Sequence, residues 1–351
     1  MFSELTTLPP WVRAEQFWDI DSQAAQYQGY GQKYQQLSRG PFEGRVISFD
    51  FGGDFVVHVE SANQDIAVAA TTPSSRLGLC LLTESSPQCM FNGAALTPDH
   101  LMLCPSANGF VGKTSAGFSI YCMDLSRELL LEEVGAWGSA DVIHEPRGVQ
   151  DLRDVVESGL SAFAQRQSVE PYSAAAKAFK SSVADALWRI ISRTTAEATL
   201  RAPQRAQPRT VRQLRVAQEY IDHSLTSGIS VVEVCRYTGT SRRALERIFL
   251  SVLGIGPAAY IRNLQLNRVR RDLLSGEKEG ESIGDIAARY GVWHWSRFSQ
   301  NYQLLFGELP SQTRTRHLTA SAALRPGSAH SRRARRRAPE FPLGEHDAES
   351  D

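Results

Sequence analysis

The sequence predicts an α+β chain in which an N-terminal antiparallel β domain with a helical pair precedes an all-α domain holding two helix-turn-helix units. Three observations carry this expectation. Short apolar or alternating runs, broken by turn clusters, fill the first 145 residues; helical periodicity replaces them from residue 146; and one helix-turn-helix pattern occurs twice, 52 residues apart.

The strand runs are RVISFDF, DFVVHVE, DIAVAATT, LGLCLL, HLMLCP and FSIYCMDL, separated by GGD, TPSS, FNG and SANG. Many short strands with frequent turns imply a closed or sandwiched sheet, and the pattern alone does not choose between the two. Within DFVVHVE, His58 and Glu60 share one face of the strand but have no second histidine beside them. A hydrogen-bonded or solvated pair is therefore expected, and no metal. In QQLSRGPFEGRV, Arg39 and Arg45 flank a Gly-Pro turn. Two guanidiniums so placed suit the carboxylate or phosphate of an effector, against the competing reading that each pairs with an acid such as Glu43 or stays in water.

Residues 146–195 carry two amphipathic helices. Leu152, Val155, Val156 and Leu160 mark the first, and Phe179, Val183, Leu187, Ile190 and Ile191 the second. Residues 196–209 hold two prolines and no apolar period, so a linker follows. From about residue 318 the chain is rich in Ala, Ser, Arg and Pro, with the run Arg332, Arg333, Arg335, Arg336 and Arg337. That composition cannot bury a core, and residues 318–351 are expected to be a disordered tail.

Residues 210–317 hold the repeat. The first copy is SVVEVCRYTGTSRRALERIF (Ser230 to Phe249) and the second SIGDIAARYGVWHWSRFSQNY (Ser282 to Tyr302). In each, Ser caps a short helix whose apolar residues (Val231, Val234, Cys235; Ile283, Ile286, Ala287) fall at i, i+3, i+4. Gly239 and Gly291 then supply the left-handed residue that ends it. The following helices bury Leu245, Ile248, Phe249 and Val252 in one copy, and Phe298, Tyr302 and Leu305 in the other. After the turn the offset grows to 53, pairing Gly254 with Gly307 and Pro257 with Pro310, so one residue is inserted at the head of the last helix. Between the copies, PAAYIRNLQLNRVRRDLL (Pro257 to Leu274) reads as one helix with Pro in its first turn. Such a connector would fix the separation of two helices, each fit for a major groove.

Charge agrees with two unlike halves. The formal net charge is zero, yet residues 1–200 hold 14 Lys+Arg against 23 Asp+Glu, and the remainder 24 against 15. Attraction for phosphate is thus concentrated in the second half. No apolar run reaches the roughly 18 residues of a membrane span, so no membrane role and a cytoplasmic location are expected. Five cysteines without metal-ligand spacing read as buried thiols.

Residues 210–317 resemble the DNA-binding domain of the AraC/XylS family of transcription regulators. The resemblance rests on TSRRALERIF with Gly254 and Pro257, on AYIRNLQLNRVRRDLL, and on SIGDIAARYGVWHWSRFSQNYQLLFGELP. It implies a cupin-like barrel as the sensory domain over 1–145, a small-molecule effector, RNA polymerase as a partner and an activator's role. It offers a homodimer surface at 146–195, although both helices could equally pack on their own sheet. Trp293 departs from the family by standing where a small polar cap is usual, so packing in place of a cap is expected at that helix entry.

For base contact, Arg243, Glu246 and Arg247 face outward on the first recognition helix, and Trp295, Ser296, Arg297, Ser299 and Gln300 on the second. Arg suits guanine, Glu suits cytosine N4 and Gln suits adenine. The expected function is a sequence-specific regulator of promoter DNA, with no catalytic residue and no cofactor. The alternative is a DNA-linked enzyme, a cupin-type oxygenase or a repair fusion.

Overall fold

A computed structural model of the chain describes residues 9–27, 29–104, 109–126, 141–165, 173–198, 209–275 and 280–316. The expected tail lies outside these residues, as do residues 199–208 of the expected linker; the ends of that linker, 196–198 and 209, are helical instead. The sheet domain contains β1 (Val12–Phe17), α1 (Ile20–Ala24), β2 (Lys33–Gln36), β3 (Gly44–Asp50), β4 (Phe55–Ala62), β5 (Ile66–Ala70) and β6 (Arg76–Leu82). It continues through β7 (Cys89–Phe91), β8 (Ala94–Leu96), β9 (His100–Cys104), β10 (Phe110–Thr114), β11 (Phe118–Ser126) and β12 (Asp141–His144).

All described strand pairs are antiparallel. One sheet has the order β1-β3-β4-β11-β6-β9-β12 and the other β2-β5-β10-β7-β8. Among the described residues these ladders remain two sheets and do not close into one barrel. Side-chain alternation decides what each face meets. On β4, Phe55 and Val57 point one way, while Glu60 and Ala62 point between the sheets, where they meet Tyr34, Ile66, Val68, Phe91 and Phe118. The run LGLCLL is apolar throughout because β6 is covered on both faces: Leu77, Leu79 and Leu81 on one, Cys80 and Leu82 on the other.

Two long helices cover the outer face of the larger sheet, α2 (Pro146–Gln165) and α3 (Ala174–Ala198). Leu152, Val156, Leu160, Phe179, Val183, Leu187 and Ile190 share a core with Phe49, Phe55, Leu79 and Met123. Of the two arrangements open from sequence, the apolar stripes of this pair serve the chain's own sheet.

The helical domain runs through α4 (Arg209–Ser224), α5 (Val231–Thr238), α6 (Arg242–Leu253), α7 (Pro257–Ser275), α8 (Ile283–Arg289) and α9 (Trp295–Phe306), with a last helical stretch at 310–316. It forms two cores. Val211, Leu214, Val234, Leu245, Phe249, Tyr260 and Leu264 pack together with Leu37, Ala67 and Val111 from the outer face of the smaller sheet. Leu266, Val269, Leu273, Ile286, Phe298, Tyr302 and Phe306 form the second core. The connector α7 contributes to both, its first half to one unit and its second half to the other.

Polar groups close the seam between the domains. Strand β2 lies at the edge of its sheet, and the Asn267 carboxamide meets it as a neighbouring strand would. Asn267 Oδ1 accepts from Gln36 N at 3.2 Å and Asn267 Nδ2 donates to Gln36 O at 3.3 Å. Asn263 Nδ2 donates to Leu37 O, Gln35 Nε2 to Tyr260 O, and both Gln36 Nε2 and Gly40 N to Leu305 O. An exposed edge with free backbone groups is thereby satisfied within the chain. Charged pairs add to the seam: Arg271 holds Asp21 of α1, Arg270 lies 3.6 Å from Asp19, and Lys33 and Arg268 share Asp222. Burial pushes the Asp222 carboxyl up, but Arg268 and Lys33 outweigh it and hold the group below its ordinary value.

Candidate nucleic-acid interface

Each unit is built by local chemistry the sequence spells out. Ser230 and Glu233 form a reciprocal capping box at the start of α5, and Ser282 and Asp285 form one at the start of α8. Such caps satisfy amides that the first helical turn leaves free, at about 1 kcal/mol each. Gly239 ends α5 with a φ of +62°, where a side chain would be strained. Gly291, at +75°, follows the end of α8 at Tyr290 in the same way. Ser241 then caps α6, its Oγ accepting from Ala244 N at 3.3 Å.

On α6, Leu245, Ile248, Phe249 and Val252 are buried, while Arg243, Glu246 and Arg247 are exposed and line one open hollow with Arg242 and Leu250. The three expected contact residues of the first unit are thus gathered on one solvent face. Within it, the Glu246 carboxylate leans against Gly256 in the loop after the helix. Arg243 and Arg247 present their guanidiniums to solvent on this face, beside Arg242.

On α9, Phe298, Tyr302, Leu305 and Phe306 are buried. Trp295, Ser296, Arg297 and Gln300 are exposed and Ser299 is half-buried. The Trp295 ring rests at 5.3 Å from Phe298 but keeps half of its surface free. Trp293 differs from expectation. It is 74% exposed, and the capping position falls to His294, which makes no side-chain cap bond. The entry to α9 therefore has no side-chain cap, and the Trp293 indole projects into solvent instead of packing in its place.

The remaining residues singled out from sequence lie in the sheet domain. Arg39 is exposed in the loop before β3. Arg45 lines a surface hollow with Glu15, Glu43 and Asn63, and Arg39 does not line it. His58 and Glu60 both face the interior of the sandwich: His58 Nδ1 bonds Ser48 Oγ at 2.8 Å, and burial lowers the imidazole pKa to about 4. Glu60 takes hydrogen bonds from Gln23, Tyr27 and Tyr34. Sequence reading missed those three partners, which lie 26 to 37 residues from Glu60 along the chain. Among the described residues no group of His, Cys, Asp and Glu side chains is disposed to hold a metal ion. All five cysteines are free thiols, with Cys80 and Cys122 facing each other across β6 and β11 at 3.4 Å.

If Arg243 and Arg247 read base edges, Arg243→Ala and Arg247→Ala should each lose roughly 1–3 kcal/mol on a specific site and much less on random DNA. Gel-shift titrations on both DNAs measure this. Equal losses would make the residue a phosphate contact.

Comparison with known proteins bears on the same segment. A helix-turn-helix domain family matches residues 234–316. The "Probable thc operon regulatory protein" of Rhodococcus erythropolis is 32% identical over 115 residues, 33% of this chain and 34% of that protein. The "XylDLEGF operon transcriptional activator" of Pseudomonas putida is 38% identical over 99 residues, 28% of this chain and 30% of that protein. The chain therefore spans about a third of the length of these curated relatives. Among solved structures, a transcriptional regulator from Chromobacterium violaceum with an AraC-type DNA-binding domain is 30% identical, covering 33% of this chain and 95% of that one, with a TM-score of 0.28.

Proposed function

We propose, from the membership of residues 234–316 in the AraC/XylS family of helix-turn-helix domains, that the chain is a sequence-specific DNA-binding transcription regulator whose sheet domain senses an effector. The observation that carries this reading is the pair of units on one connector: α6 and α9 each bury one face and expose a polar one, and α7 enters the core of both. Two such helices on one face of a duplex meet successive major-groove segments about 10 base pairs apart. The site need not be palindromic, because the two units are unlike.

The seam supplies the coupling. A cleft of about 260 Å³ lies between the domains, walled by Lys33, Tyr34 and Gln35 on one side and Tyr260, Arg268 and Arg271 on the other. Any molecule that binds one arrangement of this seam better than another shifts the population toward it and so changes DNA affinity. Acting as an activator, the protein would meet RNA polymerase on the promoter, in the cytoplasm. A homodimer would have to use the outer faces of α2 and α3, since their inner faces are occupied. No single helix among the described residues is long and apolar enough to cross a membrane.

A fragment holding residues 209–317 should bind promoter DNA with an affinity that falls steeply with salt, whereas residues 1–195 should not bind. Gel shifts at two salt concentrations test this. Binding confined to the N-terminal piece would overturn the assignment.

A further inference from the structure

Glu60 is 3% exposed, in the middle of the sandwich, and its carboxylate is surrounded by neutral donors. Gln23 Nε2 donates to Oε1 at 2.8 Å, Tyr27 OH to Oε2 at 2.6 Å, and Tyr34 OH to both oxygens at 2.8 and 3.0 Å. None of these groups carries a positive charge, and His58, two residues along the same face, is held neutral by burial at ordinary pH. A buried carboxylate is usually paired with a cation, because dipoles alone leave its charge uncompensated.

The carboxylate forms part of the wall of a cavity of about 60 Å³. Phe91, Phe110 and Phe118 line it with Tyr34, and Met90, Met102, Cys80 and Cys122 fill much of the rest. Thr114 lines it too, and its hydroxyl oxygen is buried without a partner. The wall also includes Lys113, whose ammonium is taken by Asp65 at 2.6 Å, and burial pushes the Glu60 carboxyl up; a carboxyl lacking a counter-charge, one unpartnered hydroxyl and several aromatic rings make a setting for a small cation that donates hydrogen bonds. An anion would meet Glu60, and a large ligand would not fit. The volume is several times the ~10–15 Å³ that a single water molecule requires of a cavity, which sets the scale at a few non-hydrogen atoms.

We propose that this cavity is a binding site for a small primary amine in its ammonium form, with Glu60 as the counter-charge. The proposal rests on reading the sheet domain as a sensor, and it places the sensed molecule's charge where both arms of the seam begin. Gln23, which holds Glu60, is two residues along α1 from Asp21, which holds Arg271 of α7. Tyr34, which also holds Glu60, is followed on β2 by Gln35 and Gln36, which hold Tyr260, Asn267 and Leu305. A cation at Glu60 competes for the acceptor sites that position these donors. Both arms then carry the change to the helical domain.

The test uses the full chain and ¹³C-methylammonium chloride, with sodium chloride to match ionic strength. Ligand-observed NMR should show saturable line broadening, weakened at least tenfold in Glu60→Gln, with no competition from acetate. Thr114→Val keeps the shape and the counter-charge, and should weaken binding several-fold; it serves as the second variant if Glu60→Gln does not fold. Absence of saturable binding to the wild-type chain, or unchanged binding in the variants that fold, overturns the site. Gel shifts with and without methylammonium form the second arm. Saturable, Glu60-dependent binding that leaves DNA affinity unchanged establishes the site and refutes the sensing reading.

Discussion

Leu266→Pro should abolish two-segment protection of DNA and destabilise the chain by about 3 kcal/mol or more, because proline inside a helix removes a backbone donor and clashes with the preceding turn. The position sharpens the effect. Leu266 is buried in the core of the second unit, while Leu264, two residues earlier, belongs to the core of the first. A kink here falls at the junction between units and displaces Asn267 from the edge of β2, to which it is bound at two points. Footprinting should show the adjacent segments reduced to one or none. A variant that remains folded by circular dichroism and protects both segments with wild-type affinity would refute the rigid-connector mechanism.

The two units were legible in the sequence because each rule that builds them is local. The capping residues Ser230 and Ser282, the stop glycines and the i, i+3, i+4 apolar positions act within one or two turns, and the structure realises all of them. Strands β3, β4, β5, β6, β9 and β11 were legible for the same reason, whereas β1, with the mixed run VRAEQF, was not. Strand β2 was not, since KYQQ has no apolar alternation; it is a strand because β5 pairs with one edge and Asn267 satisfies the other. Helix α1, at five residues, is too short to show a period. The short strands β7 and β8 and the strand β10 likewise depend on their neighbours in the sheet for definition.

The docking of the helical domain on the smaller sheet had one sequence signal, visible with hindsight. DIAVAA is apolar at successive positions, as a strand covered on both faces must be, and in the structure Ile66 and Val68 face the sandwich while Ala67 faces the helices. Glu60 shows the opposite case. The HxE pattern marked the residue, but its burial depends on Gln23, Tyr27 and Tyr34, whose arrival is a property of the whole sheet domain. On the DNA side, the outward face of α6 followed from its period alone. The placement of Trp293 did not, and only the folded backbone shows the indole projecting into solvent.

Arg270→Ala should cost about 3–5 kcal/mol, the range for removing one member of a buried ionic group. The guanidinium is almost fully buried, its side chain 6% exposed. It donates to Glu308 at 2.6 Å and to Thr313 at 3.4 Å, lies 3.6 Å from Asp19 and stacks 4.7 Å from the centre of the Phe306 ring. Alanine leaves Asp19 and Glu308 poorly compensated and opens space beneath Phe306. Arg316, 2.7 Å from Glu308, relieves part of the charge but none of the lost packing, which favours the lower end of the range. Arg270→Lys keeps the charge without the planar fork and should recover only part of the loss. The damage should be uneven. Phe306 and the end of α9 belong to the second unit's core, whereas α6 stands on the first, so hydrogen exchange should accelerate in α8 and α9 before α5 and α6. On DNA, protection of the segment under α9 should then weaken at a temperature where the segment under α6 is still protected. A denaturation midpoint equal to wild type, or simultaneous loss of both segments, would show that Arg270 does not hold the second unit separately against the sheet domain.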